Sequence, residues 1–166
     1  RGPYVSFANC GLPYYLSGII EKEEDLLLSS PEFFKRRFDI HVRTGHDVIS
    51  IDRAAQRVHV QPENGAAYDL AYHHLVLSPG AQAIRPPLPG IDLPGIFSLR
   101  TVPDSNRIKQ WIAAHKVQRA VVVGGGFIGL EMAEAFAARG VATTIVELLP
   151  RLMSTMDPEF GGLIAA

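Results

Sequence analysis

Residues 120–147 read AVVVGGGFIGLEMAEAFAARGVATTIVE, and they alone argue for an α/β protein. A short apolar run rich in Val is a buried strand, the glycines after it force a turn, and the apolar stretch from Phe127 repeats at helical spacing. Ala142 to Glu147 then returns as a second strand. The spacing Gly124, Gly126, Gly129 is GxGxxG, placed directly after one element and directly opening the next. The three glycines have separate roles. Gly124 permits the tight turn, Gly126 lets backbone approach a pyrophosphate, and Gly129 lets helix and strand pack closely. Phe127 and Ile128 lie between them, at a helix N-terminus whose free N–H groups and dipole favour an anion. Glu147 ends the second strand, where an acid can accept hydrogen bonds from both ribose hydroxyls of an adenosine, which favours NADH over NADPH. Arg151, four residues on, is placed to meet a 2′-phosphate and pulls the other way. The plain alternative is a βαβ unit whose glycines serve only a turn.

Working outward, Ser105 to His115 carries Ile108, Trp111 and Ile112 at helical spacing, which predicts a packed helix with Trp111 structural. Between Ala83 and Pro103 lie five prolines, together with Gly90 and Gly95. This predicts a crossing segment and a domain boundary, giving domains of 1–99 and 100–166. Leu75, Val76 and Leu77 read as a buried strand ending at the turn Ser78, Pro79, Gly80. Ile40 to Val42, Val48 to Ile51 and Arg57 to Val60 read as strands, and Asn64 followed by Gly65 signals a hairpin. Ser29 to Phe38 reads as a helix with Ser29 and Glu32 as a capping box and Pro31 in its first turn.

The 166 residues are 47% apolar and 20% charged, with a formal net charge of −1, the profile of an ordinary globular protein with no field to recruit nucleic acid or an anionic membrane. Lys35, Arg36 and Arg37 are too short a basic run for a nucleic-acid tail and read as a solvated helix face. No apolar run of about 18 residues is present, so no membrane span is expected. No signal peptide is recognisable, and the single cysteine cannot form an internal disulfide, so the cytoplasm is the expected compartment. No metal site is expected.

That cysteine, Cys10, stands among small, polar and turn-forming neighbours: Ser6, Asn9, Gly11 and Pro13. If Gly11 to Leu16 opens a helix, Cys10 sits at its positive end, which favours the thiolate; a buried, inert cysteine is the competing reading. The segment SFANCGLPYY, residues 6–15, resembles the active-site segment of the single-cysteine pyridine nucleotide-disulfide oxidoreductases. Within that family it is closest to the coenzyme A-disulfide reductases and to the persulfide or polysulfide reductases that carry a rhodanese domain. VLSPGA at 76–81 and the segment GGGFIGLEMAE fit the same family in order and spacing, so the resemblance covers nearly the whole chain.

The resemblance implies a fragment of two Rossmann-like, three-layer domains with an antiparallel β-hairpin element: part of an FAD-binding domain at 1–99 and the start of an NAD(P)-binding domain at 100–166. It implies FAD, NADH or NADPH as cofactors, although no complete flavin fingerprint is present in this chain. It makes Cys10 the redox nucleophile, with Ser6 and Asn9 near the thiol end of coenzyme A. Phe127 becomes the aromatic that covers the flavin until nicotinamide displaces it, Ile128 a further cofactor contact, Glu131 an acid near the nicotinamide, and Gly80 an approach to the flavin. Phe127 and Glu131 have packing and helix-dipole readings as well. Tyr14 and Tyr15 read as pocket walls. The implied reaction moves hydride from NAD(P)H to FAD and electrons on to a mixed disulfide between Cys10 and coenzyme A, the substrate supplying the second sulfur. Reduction of persulfide or polysulfide, oxygen or peroxide reduction through a Cys10 sulfenic acid, and a dinucleotide-binding module without turnover are the rivals. A homodimer is implied for the full-length protein.

Overall fold

The computed structural model describes residues 2–165. In chain order its elements are β1 (Ser6–Phe7), a 3₁₀ turn at Asn9–Gly11, α1 (Leu12–Ser17), a second 3₁₀ turn at Glu23–Leu26, β2 (Leu27–Ser29), α2 (Pro31–Phe38), β3 (His46–Asp52), β4 (Arg57–Pro62), β5 (Tyr68–Ala71), α3 (Val102–His115), β6 (Arg119–Val123), α4 (Phe127–Ala138), β7 (Ala142–Val146) and α5 (Pro158–Ala165). They fall into two compact units. One takes the segment up to Phe7 together with Leu27–Gln82, and the other takes Ala8–Leu26 together with the chain from Ala83 onward.

The first unit is built on an antiparallel sheet in the order β3-β4-β5, beside the short pair β1-β2. Strand β4 alternates, burying Val58 and Val60 and leaving Arg57 and Gln61 exposed, as period-two patterning requires. Across the sheet Val60 stands opposite Val48 on one side and Tyr68 on the other, so one face is lined with apolar pairs. The turn into β4 is held by the Asp52 carboxylate, which accepts from the Ala55 N–H at 2.9 Å. The expected hairpin at Asn64 and Gly65 connects β4 to β5, with Gly65 at φ +108°, a conformation that suits glycine.

Three expectations need correction here. Helix α2 is capped by Ser30, whose hydroxyl accepts from the Phe33 N–H, and not by Ser29, which closes β2. Pro31 explains the shift, since a proline fits best at the first helical position and puts the preceding residue at the cap. Ile40 to Val42 form no strand, and neither do Leu75 to Leu77, of which Val76 is 84% exposed. An apolar run becomes a strand only when a neighbour completes its ladder, and no partner strand for either run is found among the described residues.

In the second unit β6 and β7 run parallel, with Val121 opposite Thr144 and Val123 opposite Val146, and α4 makes the crossover. This is the α/β unit expected at 120–147. Its core is Leu16 of α1, Ile108 of α3 and Met132 and Ala135 of α4, with Leu99, Ile112, Val122 and Phe136 packed around them. Helix α3 begins at Val102, earlier than expected, because Thr101 and Asp104 form a reciprocal capping box and Pro103 sits in the first turn. Pro103 therefore belongs to the helix and not to the crossing segment. Trp111 is structural, stacked on His115 at 3.8 Å and met edge-on by Phe97 at 5.7 Å.

Candidate functional site

The three glycines of the turn differ in their backbone and surroundings. Gly124 has φ +107°, where a side chain would be strained. A Cβ on Gly129 would stand 1.9 Å from the Gly124 carbonyl oxygen, so only glycine lets the first turn of α4 lie against the turn before it. A Cβ on Gly126 would meet nothing within 4 Å: its surface is open to a ligand. Gly126 is the N-cap of α4, no side chain caps the helix, and its first turn holds no acid. The leading N–H groups of the helix, at Phe127 and Ile128, are by geometry without intrahelical acceptors, an arrangement that suits an anion such as a diphosphate. The residues present fit a dinucleotide.

Glu147, just beyond β7, reaches back to this turn. One carboxylate oxygen accepts from the Gly125 N–H at 2.6 Å and the other from the Leu149 N–H at 2.9 Å. These two backbone bonds, that of Leu149 first, hold its pKa below the ordinary value. A carboxylate has lone pairs to spare beyond these bonds, so it remains able to accept from hydroxyl groups beside the turn. Gly125 was not among the expected site residues. A Cβ there would lie 2.4 Å from Leu152 Cδ2 and 3.2 Å from Glu147 Oε2, and the run of three glycines was the available signal. Arg151 donates to the Ser154 and Met156 carbonyls at 3.2 Å, so its guanidinium organises the following loop.

Cys10 is exposed at the middle of the Asn9–Gly11 turn, not buried, and α1 begins two residues later with Pro13 in its first turn. Gly11 beneath it is buried, and a Cβ there would come 2.8 Å from Leu26 Cδ2. The thiol thus stands outward on a firmly seated turn. Asn9 beside it is also exposed. Tyr14 lines a small cleft between α1 and α4 with Pro13, Ser17, Ile19, Glu131 and Glu134. Tyr15, expected as a pocket wall, is buried and donates to Asn106 Oδ1 at 3.2 Å.

Of the expected residues, Cys10, Asn9, Gly124, Gly126, Phe127, Ile128, Gly129, Glu131 and Glu147 fall in the second unit, whereas Ser6 and Gly80 belong to the first. Ser6 sits in β1 opposite Ser29. Gly80 has φ +73° and open space where a Cβ would be. Phe127 and Ile128 are 62% and 59% exposed, so neither is a core residue of this chain. Glu131 is the fifth residue of α4, beyond its first turn, which removes the helix-dipole reading.

Over residues 1–166 the chain matches the family described as pyridine nucleotide-disulphide oxidoreductase. The chain belongs to this family. Pyridine nucleotide-disulphide oxidoreductases of this kind are FAD-dependent and use NAD(P)H. A coenzyme A disulfide reductase of Staphylococcus haemolyticus is 38% identical over 161 residues, covering 96% of this chain and 36% of that protein. The reduced Bacillus anthracis protein CoADR-RHD superposes with a TM-score of 0.93 at 41% identity, over 98% of this chain and 30% of that one. A NAD-dependent persulfide reductase of A. fulgidus gives 0.89 at 34% identity, over 98% of this chain and 31% of the other. The chain thus spans about a third of the length of the curated relatives it matches. Cys10 is exposed, and Gly80, in the other unit, has open space where a Cβ would stand. Among the described residues no helix is long and apolar enough to cross a membrane.

Proposed function

We propose that this chain carries the thiol and the pyridine-nucleotide cradle of an FAD-dependent NAD(P)H:disulfide oxidoreductase that reduces coenzyme A disulfide at Cys10. The observation that carries the reading is the exposed Cys10 on its seated turn, the one cysteine of these 166 residues, with the substrate disulfide supplying the second sulfur. The Cys10 thiolate attacks one sulfur of the disulfide, forming a mixed disulfide with coenzyme A and releasing the other half as a thiolate. FAD supplies hydride acceptance, and the two electrons that cleave the mixed disulfide originate in NAD(P)H. Asn9 and Ser6 flank the thiol end of the substrate. The α4 N-terminus with Gly124, Gly126, Ile128 and Gly129 holds the diphosphate, Glu147 takes the adenosine ribose and favours NADH, Phe127 covers the flavin site, and Glu131 and Gly80 border the nicotinamide and flavin. By cofactor, residues 1–99 belong with FAD and 100–166 with NAD(P). The protein that carries the chain is expected to be a cytoplasmic homodimer.

The deciding experiment is NADH- and NADPH-dependent thiol release from coenzyme A disulfide by the flavin-loaded protein, wild type against Cys10→Ser. Release that vanishes in the variant supports the assignment. A wild type whose flavin is reduced by NADH but which releases no thiol sinks it. The likeness to the A. fulgidus persulfide reductase favours a persulfide or polysulfide as the second reading, and sulfide production in the same assay would select it.

A further inference from the structure

Helix α1, which carries the Cys10 turn forward, is six residues long. At that length a helix does not hold itself together in water, so its orientation is set by what grips it. Apolar packing supplies part of the grip through Leu16, 1% exposed, against Ile108, Met132 and Ala135. Such packing is non-directional and leaves rotation about the contact weakly defined. Two polar ties supply the direction. Arg139, the C-cap of α4, donates from Nη1 to the Leu16 carbonyl at 3.0 Å. On the other side the Tyr15 hydroxyl donates to Asn106 Oδ1 at 3.2 Å, Asn106 Nδ2 donates to Glu23 Oε2 at 2.7 Å, and Lys109 Nζ stands 3.8 Å from the centre of the Tyr15 ring.

We propose that Arg139 is a positioning residue for the Cys10 thiol, tying the helix that orients the sulfur to the far end of the helix whose N-terminus is the nucleotide cradle. The tie is charge-assisted and falls on a carbonyl at the negative end of α1, which a guanidinium satisfies better than a neutral donor. Helix α4 acts as a rigid spacer: Gly126 opens it, Met132 and Ala135 pack in the α1 core along its length, and Arg139 fastens its end. Moving Arg139 changes where the sulfur points without touching the glycine turn. Tyr15 and Asn106 oppose any rotation that Arg139 alone leaves free. The proposal rests on the reading of Cys10 as the reacting sulfur.

Arg139→Gln, Arg139→Lys and Tyr15→Phe are compared with wild type in the flavin-loaded protein. The readings are flavin reduction by NADH, thiol release from coenzyme A disulfide, and the alkylation rate of Cys10 by iodoacetamide after reduction. Arg139→Gln is expected to slow thiol release about tenfold and to alter the alkylation rate, with flavin reduction and the NADH KM unchanged, and Arg139→Lys to recover most of the loss. Tyr15→Phe, which keeps the buried ring and removes only the hydroxyl, is expected to act in the same direction about threefold, and it carries the test if Arg139→Gln does not fold. Unchanged thiol release and alkylation, or a loss in which flavin reduction falls equally and lysine gives no rescue, overturns the proposal. If wild type releases no thiol, the functional reading fails on its own, and the alkylation rates still decide the role of Arg139.

Discussion

A methyl group on Gly129 would lie 1.9 Å from a carbonyl oxygen of the backbone, whereas one on Gly126 would touch nothing within 4 Å. The two glycines of one motif therefore fail differently. Gly129→Ala must push the first turn of α4 off the glycine turn, and is expected to cost about 1–3 kcal/mol of stability along with NADH affinity, read by thermal unfolding and NADH titration. Gly126→Ala is expected to hold stability to within about 0.5 kcal/mol and to lose NADH affinity alone, because its methyl meets only the ligand. Equal melting temperatures for the two variants would refute this division. Glu147 makes a third residue-scale prediction. Its folded pKa lies below its unfolded one, so its contribution to stability is present above the unfolded value of 4.5 and is lost as pH falls through the lowered folded value. Glu147→Gln should be less stable than wild type at neutral pH, and the gap should close on acidification below the glutamate range; melting curves across pH check it. Gly124, Gly126, Gly129 and Glu147 were legible as residues because their spacing carries a geometric meaning. The bond from Gly125 to Glu147 was not, since it spans 22 positions and depends on β7 lying beside β6.

At the scale of elements, boundaries followed caps more than periodicity. The apolar spacing of α3 starts at Ile108, but the helix starts at Val102 because Thr101 and Asp104 close each other's backbone groups. Thr101→Ala is expected to cost about 1 kcal/mol, measurable as a lowered denaturation midpoint with an unchanged denaturant slope. Ser30 plays the corresponding part at α2, and its hydroxyl also holds the Glu32 carboxyl below its ordinary pKa. The strands divide in the same way. The Arg57–Pro62 strand was readable because its alternation and the Asn64–Gly65 turn agree, and a partner lies next to it in sequence. Leu75 to Leu77 has as strong an apolar signal and forms nothing, because its ladder would have to come from farther away. Local agreement makes a hairpin legible; a parallel strand needs a remote neighbour.

Across the whole molecule, the second unit gathers Ala8–Leu26 with a segment that begins at Ala83, so the helices that follow the thiol turn and the glycine turn share one core across a long gap in sequence. The two-strand parallel sheet β6-β7 leaves Val121 and Val123 at 64% and 80% exposure, and parallel sheets are ordinarily covered on both faces. Expressed alone, the 166-residue chain is expected to bind a hydrophobic dye such as ANS strongly, and a longer version that includes the rest of a relative-length protein to bind far less. Equal dye binding by both would contradict that expectation. The order of the amino acids was enough to specify the α/β class, the place of the glycine turn between strand and helix, the antiparallel hairpin and the presence of a single cysteine among these residues, since each is written in spacing or in residues close along the chain. Folding in three dimensions was needed to establish that Cys10 is exposed, that Tyr15 faces inward to Asn106, and that Arg139 donates to the Leu16 carbonyl of α1. The last two are contacts between residues 91 and 123 positions apart, and no local pattern records which distant side chain a buried hydroxyl or a helix carbonyl will meet once apolar packing has brought the helices together.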